Sequence, residues 1–169
     1  SGTTLVEQIL SCHSKIYAAG ETEILDRLIV KFINKKLNYT FLNKKNLLNM
    51  KFIRRLGNEY ILELNKISDG SKFIIDKLPS NFRWIGLIKI ILPNAKIIHC
   101  NRNARDTCLS IFKNYFPYRA MGYSYSLIET IDYYELYKKL MIYWKSILSD
   151  FIYEIKYENA AILANKGVK

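Results

Sequence analysis

Three short apolar runs, separated from one another by stretches of helical spacing, constrain this chain more than any other feature. KFIIDK (72–77) is followed by Pro79, AKIIHCNR (95–102) follows Pro93-Asn94, and FIYEIKYE (151–158) follows a long helical stretch. Short isoleucine-rich runs bounded by proline and polar residues predict buried strands. Between and around them, NFRWIGLIKIIL (81–92), ARDTCLSIFKNYF (104–116) and IDYYELYKKLMIYWKSIL (131–148) carry helical spacing. Asn103 is the predicted N-cap of the second of these, and a Tyr/Phe-rich loop is predicted over about 115–128. Strands alternating with helices predict an α/β fold, with a parallel sheet flanked by helices and right-handed crossovers.

The chain opens on SGTTLVEQIL, a turn of small residues ahead of a helix from Leu5 to about Ser11 that places Leu5, Ile9 and Leu10 on one face. After a short loop, GETEILDRLIVKFINKK (20–36) resumes helical spacing. Residues 44–67 predict another helix, with Gly57 interrupting the pattern. With 169 residues, no internal repeat and no Gly/Ser linker, residues 1–169 are predicted to form a single domain.

The net charge of +11 suits anionic ligands, but the lysines are scattered among Ile, Asn and Tyr. No basic run or RNA-binding signature gathers them, so no nucleic-acid partner is expected. Cys12, Cys100 and Cys108 are an odd count without CxxC spacing, and neither histidine pairs with a cysteine at ligand spacing. Free thiols and no metal are expected. His13 and His99 are expected to be structural, because neighbours on a strand point to opposite faces. No apolar run approaches the roughly 20 residues of a membrane span and no leader pattern is visible, which together with the thiols predicts a cytoplasmic location.

In an open parallel sheet the ligand lies beyond the carboxyl ends of the strands. Lys77, Arg102 and the Tyr157-Glu158 pair stand there, and Glu21 lies between two predicted helices. SGTTLVEQIL, GETEIL, the run DKLPSNFRWIGLIKIILPNAKIIHCNRNARDTCLSIF, YYELYKKLMIYW and IKYE resemble, in order, the core of a sulfotransferase. The likeness is greatest to the branch holding tetratricopeptide-linked and protein-tyrosine sulfotransferases.

That resemblance implies a fold related to P-loop nucleoside triphosphatases and the donor 3'-phosphoadenosine 5'-phosphosulfate, with no metal. It implies that Ser1, Gly2, Thr3 and Thr4 receive the phosphosulfate at a helix N-terminus, a ready anion site. Arg102 and Ser110 are implied to hold the 3'-phosphate, as a guanidinium fork and a hydroxyl suit a dianion. Tyr157 is implied to contact the nucleotide. Glu21 occupies the general-base position, a role that calls for burial, and Lys77 stabilises the departing phosphate. The acceptor is a hydroxyl, on a small molecule, a sugar or a protein tyrosine. The resemblance further implies a short strand and a Pro-Arg or Pro-Lys pair ahead of SGTT, and late helices beyond residue 169. The chain is therefore expected to be a fragment of the domain, without its first strand.

Two other readings stay open from the residues. A degenerate relative would bind nucleotide without turnover. A P-loop small-molecule kinase would need GxxxxGK[ST], and here Thr3 stands after Gly2 where the lysine would be.

Overall fold

The computed structural model of the chain describes residues 2–37, 50–116 and 119–165. Seven α-helices and four strands are found among them. Helix α1 (Thr3–Ser11) leads into β1 (Ile16–Ala18), and α2 (Ile24–Leu37) and α3 (Met50–Ile67) follow. Strand β2 (Phe73–Ile75) is joined to α4 (Ile85–Ile91) through a 3-10 turn over Pro79–Trp84. Then come β3 (Ile97–Asn101), α5 (Ala104–Lys113), a 3-10 segment over Arg119–Tyr125 and α6 (Leu127–Ile147). Strand β4 (Ile152–Lys156) and α7 (Tyr157–Asn165) close the order.

The strands form two parallel pairs. β1 lies beside β2 with Ile16 opposite Phe73 and Ala18 opposite Ile75. β3 lies beside β4 with Ile97 opposite Ile152 and Asn101 opposite Lys156. The mixed α/β architecture with short parallel strands flanked by helices is the one predicted, but the single parallel sheet expected is found, among the described residues, as two separate pairs. Four local expectations need correction. The three-residue β1 lies in what the sequence predicts as loop. The 81–92 helix begins as a 3-10 turn, because Pro79 lacks an N–H and sets the first turn. The 115–128 loop contains helical turns and α6 starts at Leu127. The last predicted strand stops at Lys156, so Tyr157 and Glu158 begin a helix.

The core is built where α2, α3 and α4 meet, from Leu25, Leu28, Leu56, Tyr60, Ile85 and Ile88 among others. Leu25 and Leu56 are 1 % and 2 % exposed, which fixes α2 against α3. At Gly57 an added Cβ would come within 2.4 Å of the Ile91 carbonyl oxygen. The glycine that interrupts the helical pattern is thus the point where α3 meets the end of α4, and α3 runs through it unbroken. Asn103 caps α5 as predicted, its side chain accepting from the Arg105 and Asp106 N–H groups.

Candidate active site

A cavity of about 1050 Å³ is shared by the two sheets. Ile74 and Ile75 of β2 and Ile97 and Ile98 of β3 line its apolar part, and Thr3, Glu7, Glu21, Lys77 and Arg102 line its polar part. Glu21, Lys77 and Arg102 follow strand ends, as the rule for open parallel sheets expects, while Thr3 and Glu7 lie on α1. For Glu21 the strand is β1, which ends three residues before it.

Lys77 is the centre of the polar end. Its Nζ donates to Glu21 Oε1 at 2.7 Å and to Thr4 Oγ1 at 3.5 Å, and Glu7 Oε2 lies 3.6 Å away. An ammonium carries three donors and no acceptor, and three oxygens surround this one. Its side chain is 13 % exposed, and that of Glu7 10 %. The Glu21 side chain is 54 % exposed, so the burial expected of a general base is not found. An ion pair with Lys77 stands in its place.

The loop that carries Glu21 is pinned at Gly20. Its N–H donates to Glu7 Oε1 at 3.0 Å, its carbonyl accepts from the Lys77 N–H at 2.9 Å, and the Ala19 N–H donates to the Ile75 carbonyl at 2.9 Å. Behind Lys77, Asp76 accepts from the Tyr60 hydroxyl at 2.6 Å. Burial raises the Asp76 carboxyl above the ordinary range, and the Tyr60 bond works against that rise.

The second cation is held differently. The Arg102 guanidinium lies 4.7 Å from the centre of the Tyr157 ring, a cation–π distance. That ring also lies against Gly2, where an added Cβ would meet Tyr157 Cδ2 at 2.3 Å. Gly2, the N-cap of α1, has φ 89° and makes no side-chain cap bond. Tyr157 thereby connects the start of α1 to Arg102. Next to it, Glu158 accepts from the Asn103 N–H at 2.9 Å, and this bond is the main cause that holds its carboxyl below the usual range.

The predicted residues therefore divide. Thr3, Glu21, Lys77 and Arg102 line the cavity, and Gly2, Thr4 and Tyr157 join them by direct contact. Ser110 lies on α5, half-buried, outside the cavity lining. Ser1 lies outside the described residues. Glu7 is the site group that sequence reasoning missed. The helical face drawn through Leu5, Ile9 and Leu10 is turned from the real one: Val6 and Glu7 are buried, and Ile9 is 44 % exposed. The available signal was position, since Glu7 lies one turn after Thr3 on the same face.

His99 serves the framework, as expected. Its Nδ1–H donates to Glu154 Oε2 at 3.1 Å and its Nε2 accepts from the Tyr137 hydroxyl. Burial, helped by the nearby Lys145 ammonium, pushes its pKa down to about 4. The ring is neutral near pH 7 and joins β3, β4 and α6. Among the described residues no helix is long and apolar enough to cross a membrane.

A model of the sulfotransferase family matches residues 1–161. An uncharacterized protein of Aquifex aeolicus (strain VF5) is 32 % identical over 166 residues, a match covering 94 % of this chain and 22 % of that protein. The chain thus spans about a fifth of that relative's length. No solved structure matches. A family match along almost all of its length carries the conclusion that the chain belongs to the sulfotransferase family.

Proposed function

We propose that this chain is the donor-binding core of an enzyme that moves a sulfuryl group from 3'-phosphoadenosine 5'-phosphosulfate to a hydroxyl acceptor. The observation that carries the reading is the pair Glu21–Lys77, 2.7 Å apart, on a cavity shared with Thr3 and Arg102. The start of α1 fits an anion, because its N-cap is Gly2, which supplies no side-chain cap to the first N–H groups. Lys77 and Arg102 supply positive charge at two points of the polar end.

In the proposed reaction the acceptor oxygen attacks sulfur and the bond from sulfur to the phosphate oxygen breaks. The electron pair leaves on that oxygen, and the hydroxyl proton passes to Glu21. Lys77 donates to the leaving oxygen, where charge grows. Arg102 pairs with the 3'-phosphate through charge-assisted hydrogen bonds, while Gly2, Thr3 and Thr4 offer donors to the phosphosulfate. Tyr157 flanks the nucleotide. Ser110, outside the cavity lining, receives no role. The half-exposed Glu21 is open to an acceptor from solvent, whether a small alcohol, a sugar or a tyrosine on a protein.

The same reading places a further parallel strand between β2 and β3. Its support is the split of the strands into two pairs with isoleucines of both β2 and β3 lining one cavity. Residues 1–169 would then be one sulfotransferase-like domain in fragment form.

Isothermal titration with adenosine 3',5'-bisphosphate tests the reading. The full-length protein binds it, and Arg102→Ala raises the dissociation constant at least about tenfold, as loss of a charge-assisted bidentate contact implies. Unchanged affinity in the variant removes Arg102 from the 3'-phosphate site, and no binding at millimolar ligand removes the donor assignment.

A further inference from the structure

We propose that Glu7 is a positioning residue for the Glu21–Lys77 pair, its two carboxylate oxygens holding the base's loop and the catalytic cation at once. This rests on the function proposed above and adds a residue to its machinery.

A carboxylate that is 9 % exposed is costly unless both oxygens are satisfied. Those of Glu7 are spent on the site. Oε1 accepts from the N–H of Gly20, the residue directly before Glu21, at 3.0 Å. Oε2 faces Lys77 Nζ at 3.6 Å. The Gly20 carbonyl in turn accepts from the Lys77 backbone N–H at 2.9 Å. One carboxylate and the backbone N–H and carbonyl of Gly20 thus tie α1, the loop after β1 and Lys77 beyond β2 into a closed set of contacts.

The arrangement matters because Glu21 cannot anchor Lys77 throughout the reaction. When Glu21 takes the acceptor proton it stops being an anion, at the moment Lys77 must face the leaving oxygen. With Glu21 alone as partner, the ammonium would be released as it is needed. The two carboxylates divide the work by exposure: Glu21, 54 % exposed, meets the acceptor, and Glu7, 10 % exposed, keeps the cation in register. Thr4 Oγ1 at 3.5 Å is the third contact and carries no charge.

Glu7→Gln in the full-length protein separates this role from simple packing. The amide oxygen still accepts from Gly20 and the charge is gone. The expected result is a split. Sulfuryl transfer slows at least about tenfold, while adenosine 3',5'-bisphosphate binds as well as before or up to about threefold more tightly, because an anion has left an anion site. On a Lys77→Ala background the same substitution changes the rate by less than about twofold, since Glu7 acts through Lys77. Equal losses on both backgrounds, or loss of affinity together with rate, overturn the proposal. A third measurement needs no donor. Acetylation of Lys77 by acetic anhydride, read by mass spectrometry against exposed Lys66, rises at least about fivefold in Glu7→Gln and less than about twofold in Glu21→Gln, whose exposed side chain can be replaced without disturbing the fold. The reverse order overturns the proposal. Failure of the wild-type protein to bind the bisphosphate would instead count against the donor assignment, and the labelling would still decide the role of Glu7.

Discussion

Gly2→Ala is the substitution whose consequence follows most directly from the structure. Gly2 has φ 89°, and forcing an L-residue with a Cβ into that region costs roughly 1–2 kcal/mol. The new Cβ would also stand 2.3 Å from Tyr157 Cδ2 and 3.0 Å from Cγ, closer than two carbons can approach, so the ring must swing away. Leaving its rotamer costs about 1 kcal/mol, and the ring gives up its place under the Arg102 guanidinium, a contact worth about 0.5–1 kcal/mol. The sum is about 3 kcal/mol, or a fall in melting temperature of roughly 6–12 °C for a domain of this size. If the proposed donor site is right, the bisphosphate dissociation constant should rise at least about tenfold, because the turn before α1 and Arg102 move together. Urea denaturation of Gly2→Ala, Tyr157→Ala and the double variant isolates the steric part. With the ring removed, the glycine substitution should cost about 1–2 kcal/mol less than in the wild type. Costs that add to within about 0.5 kcal/mol would show that the ring and the turn are not in contact, and the joining of Arg102 to α1 through Tyr157 would be lost with it.

Two further outcomes concern the framework. Gly57→Ala drives a Cβ to 2.4 Å from the Ile91 carbonyl oxygen, a backbone atom that cannot rotate aside, and should destabilise the protein by about 1–3 kcal/mol, read as a lower urea midpoint with an unchanged slope. His99 has its pKa lowered from 6.5 to about 4 in the folded state. The unfolded chain therefore binds a proton first, and the stability His99 contributes is present above pH 6.5 and is lost as pH falls toward 4. At 1.36 kcal/mol per pH unit that is about 3 kcal/mol as an upper bound. The urea midpoint of the wild type should fall more between pH 7.5 and 4.5 than that of His99→Gln, and parallel profiles would refute it.

The strands that could be read from sequence are those that are apolar and bounded. KFIIDK and AKIIHCNR stand between proline and polar residues, and FIYEIKYE fails only at its end, where the chain turns into α7 at Tyr157. β1 was not readable, since Ile16–Ala18 is three residues long and owes its form to pairing with β2. Its absence from the prediction hid why Glu21 belongs with Lys77: both follow strands that lie side by side. Asn103 was legible because capping is local chemistry, and Gly57 was misleading because its reason, the Ile91 carbonyl, is distant in sequence. Glu7 went unseen for a related cause. A charged residue in an amphipathic helix reads as solvent-facing, and only tertiary contacts with Gly20 and Lys77 turn it inward.

The two cations of the site have different neighbours, the Tyr157 ring beside Arg102 and oxygens around Lys77, and in the proposed reaction that would separate binding from chemistry. Arg102 lies over the Tyr157 ring, a contact compatible with in-plane hydrogen bonding to a phosphate. Lys77 is held by oxygens, and any leaving group that takes its N–H displaces one of them. The half-exposed Glu21 is the partner most easily exchanged, while Glu7 and Thr4 remain on α1. Substitutions at Arg102, Tyr157 and Gly2 should therefore register as affinity, and substitutions at Glu7, Glu21 and Lys77 as rate. A site in which all six altered both quantities in equal measure would have to be held together by packing alone, with no division of labour among its charges.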